Sequence, residues 1–175
     1  IEASLRRFAH YDYWSDSIRR SILMDSRADI LVYGMGERQI LEIAERLKNG
    51  KNLEGIRGTS IKTKNEFPPE SIKLPCFKEI STDKEAFCKS FLIQEREQEP
   101  FTGKTLVEEY EHCAIVQYPP ALPLTEEEMD YIYELPFSRK AHPKYKEEIK
   151  SLEPVRFSII THRGCFGNCS FCALS

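Results

Sequence analysis

Apolar and polar residues recur along the chain on two periods, near 3.6 and near 2, and the switches between them mark the elements. From Glu2 to about Arg27 the pattern predicts two helical stretches broken near Tyr11-Asp12-Tyr13. In the second, Ile18, Ile22 and Met24 form an apolar side against Asp16, Arg19 and Arg20. Asp29-Ile30-Leu31-Val32-Tyr33 is a short apolar run closed by Gly34, the pattern of a buried strand in a parallel sheet. It leads through Gly34-Met35-Gly36-Glu37 into a helix over residues 38–48. Ile40, Leu41, Ile43, Ala44 and Leu47 are expected on its buried side, and Asn49-Gly50 stops it.

The pattern is weaker from Leu53 to Ile80, where residues 56–63 fit a strand pair or an extended stretch. Pro68-Pro69 and Pro75 mark irregular chain. Thr82 or Asp83 is placed to cap a helix reaching about Gln98, with Phe87, Phe91 and Leu92 inward. A strand is expected from His112 to Tyr118, centred on Ala114-Ile115-Val116. After Pro119-Pro120 and Pro123, Thr125-Glu126-Glu127-Glu128 reads as a capping-box start to a short helix through Tyr133. Residues 135–150 read as charged loop, and Val155-Arg156-Phe157-Ser158-Ile159-Ile160 as a strand. These elements predict an α/β fold, with helices packed on a mostly parallel, Rossmann-like sheet.

Composition narrows the function classes. With 41% hydrophobic and 30% charged residues, the 175-residue chain has the make-up of a globular domain. A net charge of −3 supplies no basic field, so no nucleic-acid partner is expected. No apolar run is long enough to span a bilayer, so no membrane partner is expected either. The chain opens on Ile1 in charged, helix-like sequence and stops just after a motif, and it is expected to be a fragment.

Of six cysteines, Cys76, Cys88 and Cys113 are scattered and read as small buried hydrophobes. The other three fall in Cys165-Phe166-Gly167-Asn168-Cys169-Ser170-Phe171-Cys172. Thiolates are the usual ligands of iron–sulfur clusters, which normally take four. Three ligands leave one iron open to an exogenous group, as catalytic metal sites keep a vacant position. Gly164 and Gly167 permit φ > 0 where the loop is tightest. Two other readings stay open. His162, three residues before Cys165, makes a Cys₃His zinc site chemically possible, and the thiols could simply be unligated. Clustered thiols point to a reducing compartment, and the expected location is the cytoplasm.

The loop resembles the signature of the radical S-adenosylmethionine superfamily, including the aromatic Phe171 before the last cysteine. The stretches opening at Ile1 and His10, Arg163-Gly164-Cys165 and Pro123-Leu124-Thr125 extend the resemblance to YgiQ-type radical SAM proteins. The resemblance implies that Cys165, Cys169 and Cys172 ligate a [4Fe-4S] cluster whose open iron chelates S-adenosylmethionine, with Phe171 near the adenine. An electron donor and a substrate, whose identity the family does not reveal, are implied as partners, and reductive cleavage would yield a 5′-deoxyadenosyl radical. It also implies a division into an N-terminal α/β domain (1–118), a proline-rich and charged linker (119–150), and the first strand and cluster loop of an incomplete radical SAM barrel (151–175). The fragment alone is expected to be inactive. The alternative is a zinc-stabilised binding or interaction module without catalysis.

Other features carry less. Gly34-x-Gly36 lacks the third glycine of a dinucleotide fingerprint, as well as any cobalamin-ligating signature, and reads as a tight turn at a sheet edge. Gly103-Lys104-Thr105 lacks the upstream glycine of a P-loop, because position 98 is Gln98. Tyr11, Tyr13 and Trp14 are expected to pack between helices. His112 and Cys113, as strand neighbours, point to opposite faces and form no dyad.

Overall fold

The structure, a computed structural model, describes residues 2–64, 67–161 and 163–167. The chain divides into two compact units, residues 1–123 and 124–175.

In the first unit the elements run α1 (Glu2–Leu5), β1 (His10–Asp12), β2 (Ser17–Arg19), α2 (Ile22–Ser26), β3 (Ile30–Val32), α3 (Glu37–Lys48), β4 (Thr59–Thr63), β5 (Ile72–Lys73), α4 (Phe77–Thr82), α5 (Lys84–Arg96), β6 (Leu106–Glu109) and β7 (Ala114–Gln117). Five strands form one sheet in the order β3-β4-β7-β6-β5. The expected mixture of helices and strands is therefore present, but the sheet is not mostly parallel. β3–β4, β4–β7 and β7–β6 are antiparallel, and only β5–β6 is parallel. A strand buried on both faces reads as the same continuous apolar run in either direction, so the local pattern does not carry strand polarity.

Alternation along the strands sorts side chains into two layers. Leu31, Tyr33, Leu106 and Ile115 join Phe8, Leu23 and Leu74 in one core cluster. Ile61, Val107, Ala114, Val116 and Tyr118 form the other, with Ile30 and Phe67 against it. The first layer is closed by the N-terminal segment, and that segment is not the helix pair the pattern predicted. β1 and β2 make a two-stranded antiparallel hairpin, with Tyr11 opposite Ile18. Its turn is built around the Asp12 carboxylate, which bonds one backbone and one side-chain donor. Asp12 accepts from the Trp14 N–H (3.2 Å) and the Ser15 hydroxyl (2.6 Å), and Asp16 sits at φ 47°. Short polar side chains that satisfy nearby backbone groups compete with helix in this way. Tyr13 and Trp14 consequently stand at the tip, 77% and 92% exposed, rather than packed between helices.

Capping behaves as the sequence suggested. Asp83 accepts from the Glu85 N–H at 2.9 Å at the start of α5, and Gly50 follows α3 at φ 63°. α5 does not bury the face expected of it, however. Ser90 is its buried residue, while Phe91 and Leu92 are more than half exposed.

Gly58 joins α3's surroundings to the sheet. It stands at φ 72°, its N–H donates to Pro119 O (2.7 Å), and its carbonyl accepts from the Tyr33 N–H (3.0 Å). A Cβ here would lie 2.5 Å from the amide nitrogen of Gln39, which is itself buried. Gly58→Ala is expected to cost at least about 1–2 kcal/mol from the left-handed backbone alone. A chemical-denaturation midpoint equal to that of the parent sequence would refute this.

In the second unit, α6 (Glu126–Glu134) begins with the expected capping box: the Glu128 N–H donates to the Thr125 hydroxyl oxygen, and Glu128 accepts from the Thr125 N–H. The strand expected over 155–160 is absent. A single 3₁₀ turn at Lys150–Leu152 is followed by further turns, in which the Val155 and Ser158 N–H groups donate to Leu152 O and Val155 O. A strand needs a ladder partner for its N–H and C=O groups, and no described residue pairs with this segment. None of the described residues of this unit is buried, and Phe157 and Ile159 are 74% and 84% exposed.

Candidate functional site

The chemistry suggested by the sequence rests on the cysteine loop, of which residues 163–167 are described. Gly164 adopts φ 76°, a conformation that L side chains rarely take and that turns the chain toward Cys165. Cys165 is exposed, and its sulfur accepts the Gly167 N–H at 3.3 Å. Phe166 lies wholly in solvent. An accessible sulfur with a backbone N–H aimed at it suits a thiolate ligand, because such donors stabilise negative charge on sulfur. Cys169, Phe171, Cys172 and His162 lie outside the described residues. Among the described residues, no group of three or more His, Cys, Asp or Glu side chains is arranged to hold a metal ion.

The remaining cysteines depart from the buried-hydrophobe reading. Cys88 is exposed, and Cys76 and Cys113 are half-buried. Cys76 caps α4, with its N–H donating to Glu79 at 2.8 Å. Cys113 lies 3.7 Å, sulfur to sulfur, from Met24, while His112 is turned out to solvent. His112 and Cys113 are no catalytic pair. Gly34-x-Gly36 is a turn leaving edge strand β3, with Gly34 at φ 68°. A Cβ at Gly36 would come within 2.9 Å of Val32.

The α/β unit contains a buried polar cluster that the hydrophobic pattern does not single out. Glu108, in β6, is fully buried on the same face as Leu106. The Ala9 N–H donates to both its carboxyl oxygens (3.1 and 3.0 Å), and the Tyr110 hydroxyl donates to one of them (2.6 Å). That hydroxyl in turn accepts the Ser21 N–H at 2.9 Å. Burial pushes the Glu108 carboxyl up to about 7 against the opposing hydrogen bonds from Tyr110 and Ala9. The Tyr110 phenol is raised too, first by burial and then by Glu108. Beside this cluster Arg7 donates to Gln117 (2.6 Å) and lies over the Tyr33 ring, 4.7 Å from its centroid. These bonds tie Ala9 and Ser21, on either side of the hairpin, to the central sheet. The signal available in the sequence was a glutamate two residues from an inward leucine, in phase with it. The arrangement is an anchor rather than a reaction centre, since each group is saturated by protein partners.

A family model described as Radical SAM N-terminal matches residues 1–158. The chain belongs to the Radical SAM N-terminal family. That match takes in the whole α/β unit and ends before Cys165. The chain is also 55% identical to a UPF0313 protein of Methanocella arvoryzae, over all of this chain and 30% of that relative. It is 49% identical to a UPF0313 protein of Clostridium botulinum, covering all of this chain and 28% of the relative. For one from Methanosarcina mazei the figures are 44%, all of this chain and 34%. The chain thus spans about a third of the length of the curated relatives it matches, and each of these alignments runs through the cysteine loop. No solved structure matches the chain. No helix among the described residues is long and apolar enough to cross a membrane.

Proposed function

We propose that this chain is the N-terminal α/β region, with the opening of the catalytic core, of a radical S-adenosylmethionine enzyme of the YgiQ type. The observation that carries this reading is the donor set itself. Three thiols lie within eight residues, directly after a region belonging to the Radical SAM N-terminal family. Cys165, Cys169 and Cys172 would hold a [4Fe-4S] cluster, with Phe171 beside the adenine of S-adenosylmethionine. When bound, that cluster supplies the electron that cleaves the sulfonium to a 5′-deoxyadenosyl radical.

What this chain's own residues contribute is placement. Gly164 permits the turn that presents Cys165, and the Gly167 N–H donates toward its sulfur. Val155, Phe157 and Ile159 are exposed and lie outside any sheet among the described residues, and on this reading the segment becomes the first barrel strand only when its neighbours are present. On this reading residues 1–118 form the α/β domain, 119–150 the linker and 151–175 the start of the core. By itself this stretch lacks the walls that enclose S-adenosylmethionine and is inactive. Thiolate ligands of an oxygen-sensitive cluster call for a reducing compartment, which places the enzyme in the cytoplasm. Its partners are S-adenosylmethionine, an electron donor and a substrate.

The test is the parent protein, reconstituted without oxygen and reduced in the presence of S-adenosylmethionine. It is expected to carry about four irons per chain for this cluster and to form 5′-deoxyadenosine. Cys165→Ala is expected to lose the cluster iron and at least about 100-fold of that activity, an effect of the size seen when a catalytic group is removed. A parent that binds zinc at the three thiols and forms no 5′-deoxyadenosine would instead support a zinc-stabilised interaction module.

A further inference from the structure

α3 is turned inside out. Its inward side holds Gln39 and Ile43, and two of its arginines serve neighbouring loops. The Arg38 guanidinium donates to Leu122 O at 3.1 Å, and that of Arg46 to Glu54 O at 2.6 Å. The outward side carries Ile40, Leu41 and Leu47, which are 60%, 68% and 61% exposed, with Ala44 between them and Met35, 52% exposed, just before the helix. The spacing of residues 40, 44 and 47 is one helical stripe. A helix that turns its leucines to water forfeits apolar burial, and an exposed apolar stripe of this kind, with Glu45 and Lys48 at its C-terminal side, marks a contact surface.

We propose that the outer face of α3 docks against the catalytic core that follows the cysteine loop in the parent protein. The inference rests on the reading above, in which such a core is present. Two observations favour this occupant over a second copy. The curated relatives are about three times the length of this chain, so most of their polypeptide lies outside the structure. The patch is also small. A twelve-residue helix presents a face about 18 Å long and about 10 Å wide. That is well short of the roughly 800 Å² per partner that holds two separate chains together. A tethered domain has a high effective concentration, so a small apolar face suffices.

The experiment is carbene footprinting with a small diazirine probe. It is read at the α3 peptide in the parent protein and in the 175-residue chain, each at several concentrations. At least fivefold lower labelling of Leu41 and Leu47 in the parent, independent of concentration, is the expected result. In the parent carrying Leu41→Glu and Leu47→Glu, both at exposed positions that do not threaten the fold, labelling of Ile40 and Met35 is expected to return to the level of the 175-residue chain. Equal labelling in the two proteins overturns the proposal. So does protection that grows with the concentration of the 175-residue chain, which would mark a second copy as the occupant. Labelling is read without iron or S-adenosylmethionine. Protection without 5′-deoxyadenosine formation would sink the enzymatic reading alone, and 5′-deoxyadenosine formation with an unprotected helix would sink the docking alone.

Discussion

Phe8→Ala is expected to destabilise the α/β unit by about 3–5 kcal/mol, the usual cost of removing a buried phenylalanine ring. Phe8 is wholly inaccessible to solvent and lies in the layer that contains Leu23, Leu31, Leu106 and Ile115. With Leu23, it is one of the two fully buried apolar side chains by which the N-terminal segment closes that layer. α1 has only four residues and the hairpin strands three each, too little to be stable without tertiary support. The cavity therefore falls between the sheet and a cover that cannot hold itself in place. The paired control is Trp14→Ala. Trp14 is the larger ring, six residues on, but 92% exposed at the hairpin tip, and its loss is expected to change stability by no more than about 0.5 kcal/mol. Urea titration of both variants decides the matter. Similar costs for the two would mean that the N-terminal segment does not close the core as described.

The contrast between Phe8 and Trp14 shows where the sequence was legible and where it was not. Element type and caps were readable where a local chemical device sets them. Asp83 and Thr125 start helices, Gly50 ends one, and the apolar run at 30–32 is a strand. Facing was less readable. Helical periodicity shows that α3 has an apolar stripe, but not that Arg38 and Arg46 are recruited by loop carbonyls, which rotates the stripe outward. Strand direction was not readable at all, because it depends on which connection crosses the sheet. The hairpin at 10–19 was masked by residues such as Ile18 and Ile22, whose spacing also fits a helix. β6 escaped because its buried glutamate broke the apolar run. At the cysteine loop the opposite holds: the proposed ligand set rests on the spacing of three thiols in the sequence, and the geometry of residues 163–167 adds only an exposed Cys165 with the Gly167 N–H donating to its sulfur.

Glu108 yields the second large effect, a loss of stability as pH rises. Its folded-state pKa lies at about 7, above the ordinary carboxylate value of about 4.3 in an unfolded chain. A carboxyl whose pKa is raised by folding binds its proton more tightly in the native state. Its contribution is fully present below the unfolded value and is lost as pH rises through the folded one. Between about pH 4.5 and pH 8 the native state is therefore expected to lose about 3 kcal/mol on account of this residue, because a tenfold difference in proton affinity is worth about 1.4 kcal/mol. Glu108→Gln keeps the shape and an oxygen that accepts from the Tyr110 hydroxyl but has no proton to lose, so its stability should not carry this slope. His10, whose pKa is lowered chiefly by burial and then by Arg6, works in the opposite direction, costing stability on acidification. Both proteins contain His10, so it cancels when the variant is subtracted from the parent sequence. The measurement is the unfolding free energy of each by urea at four or five values across this range. Parallel curves would show that Glu108 is already ionised at low pH. The three hydrogen bonds from Ala9 and Tyr110 would then outweigh the burial of the carboxylate, contrary to the balance inferred for β6.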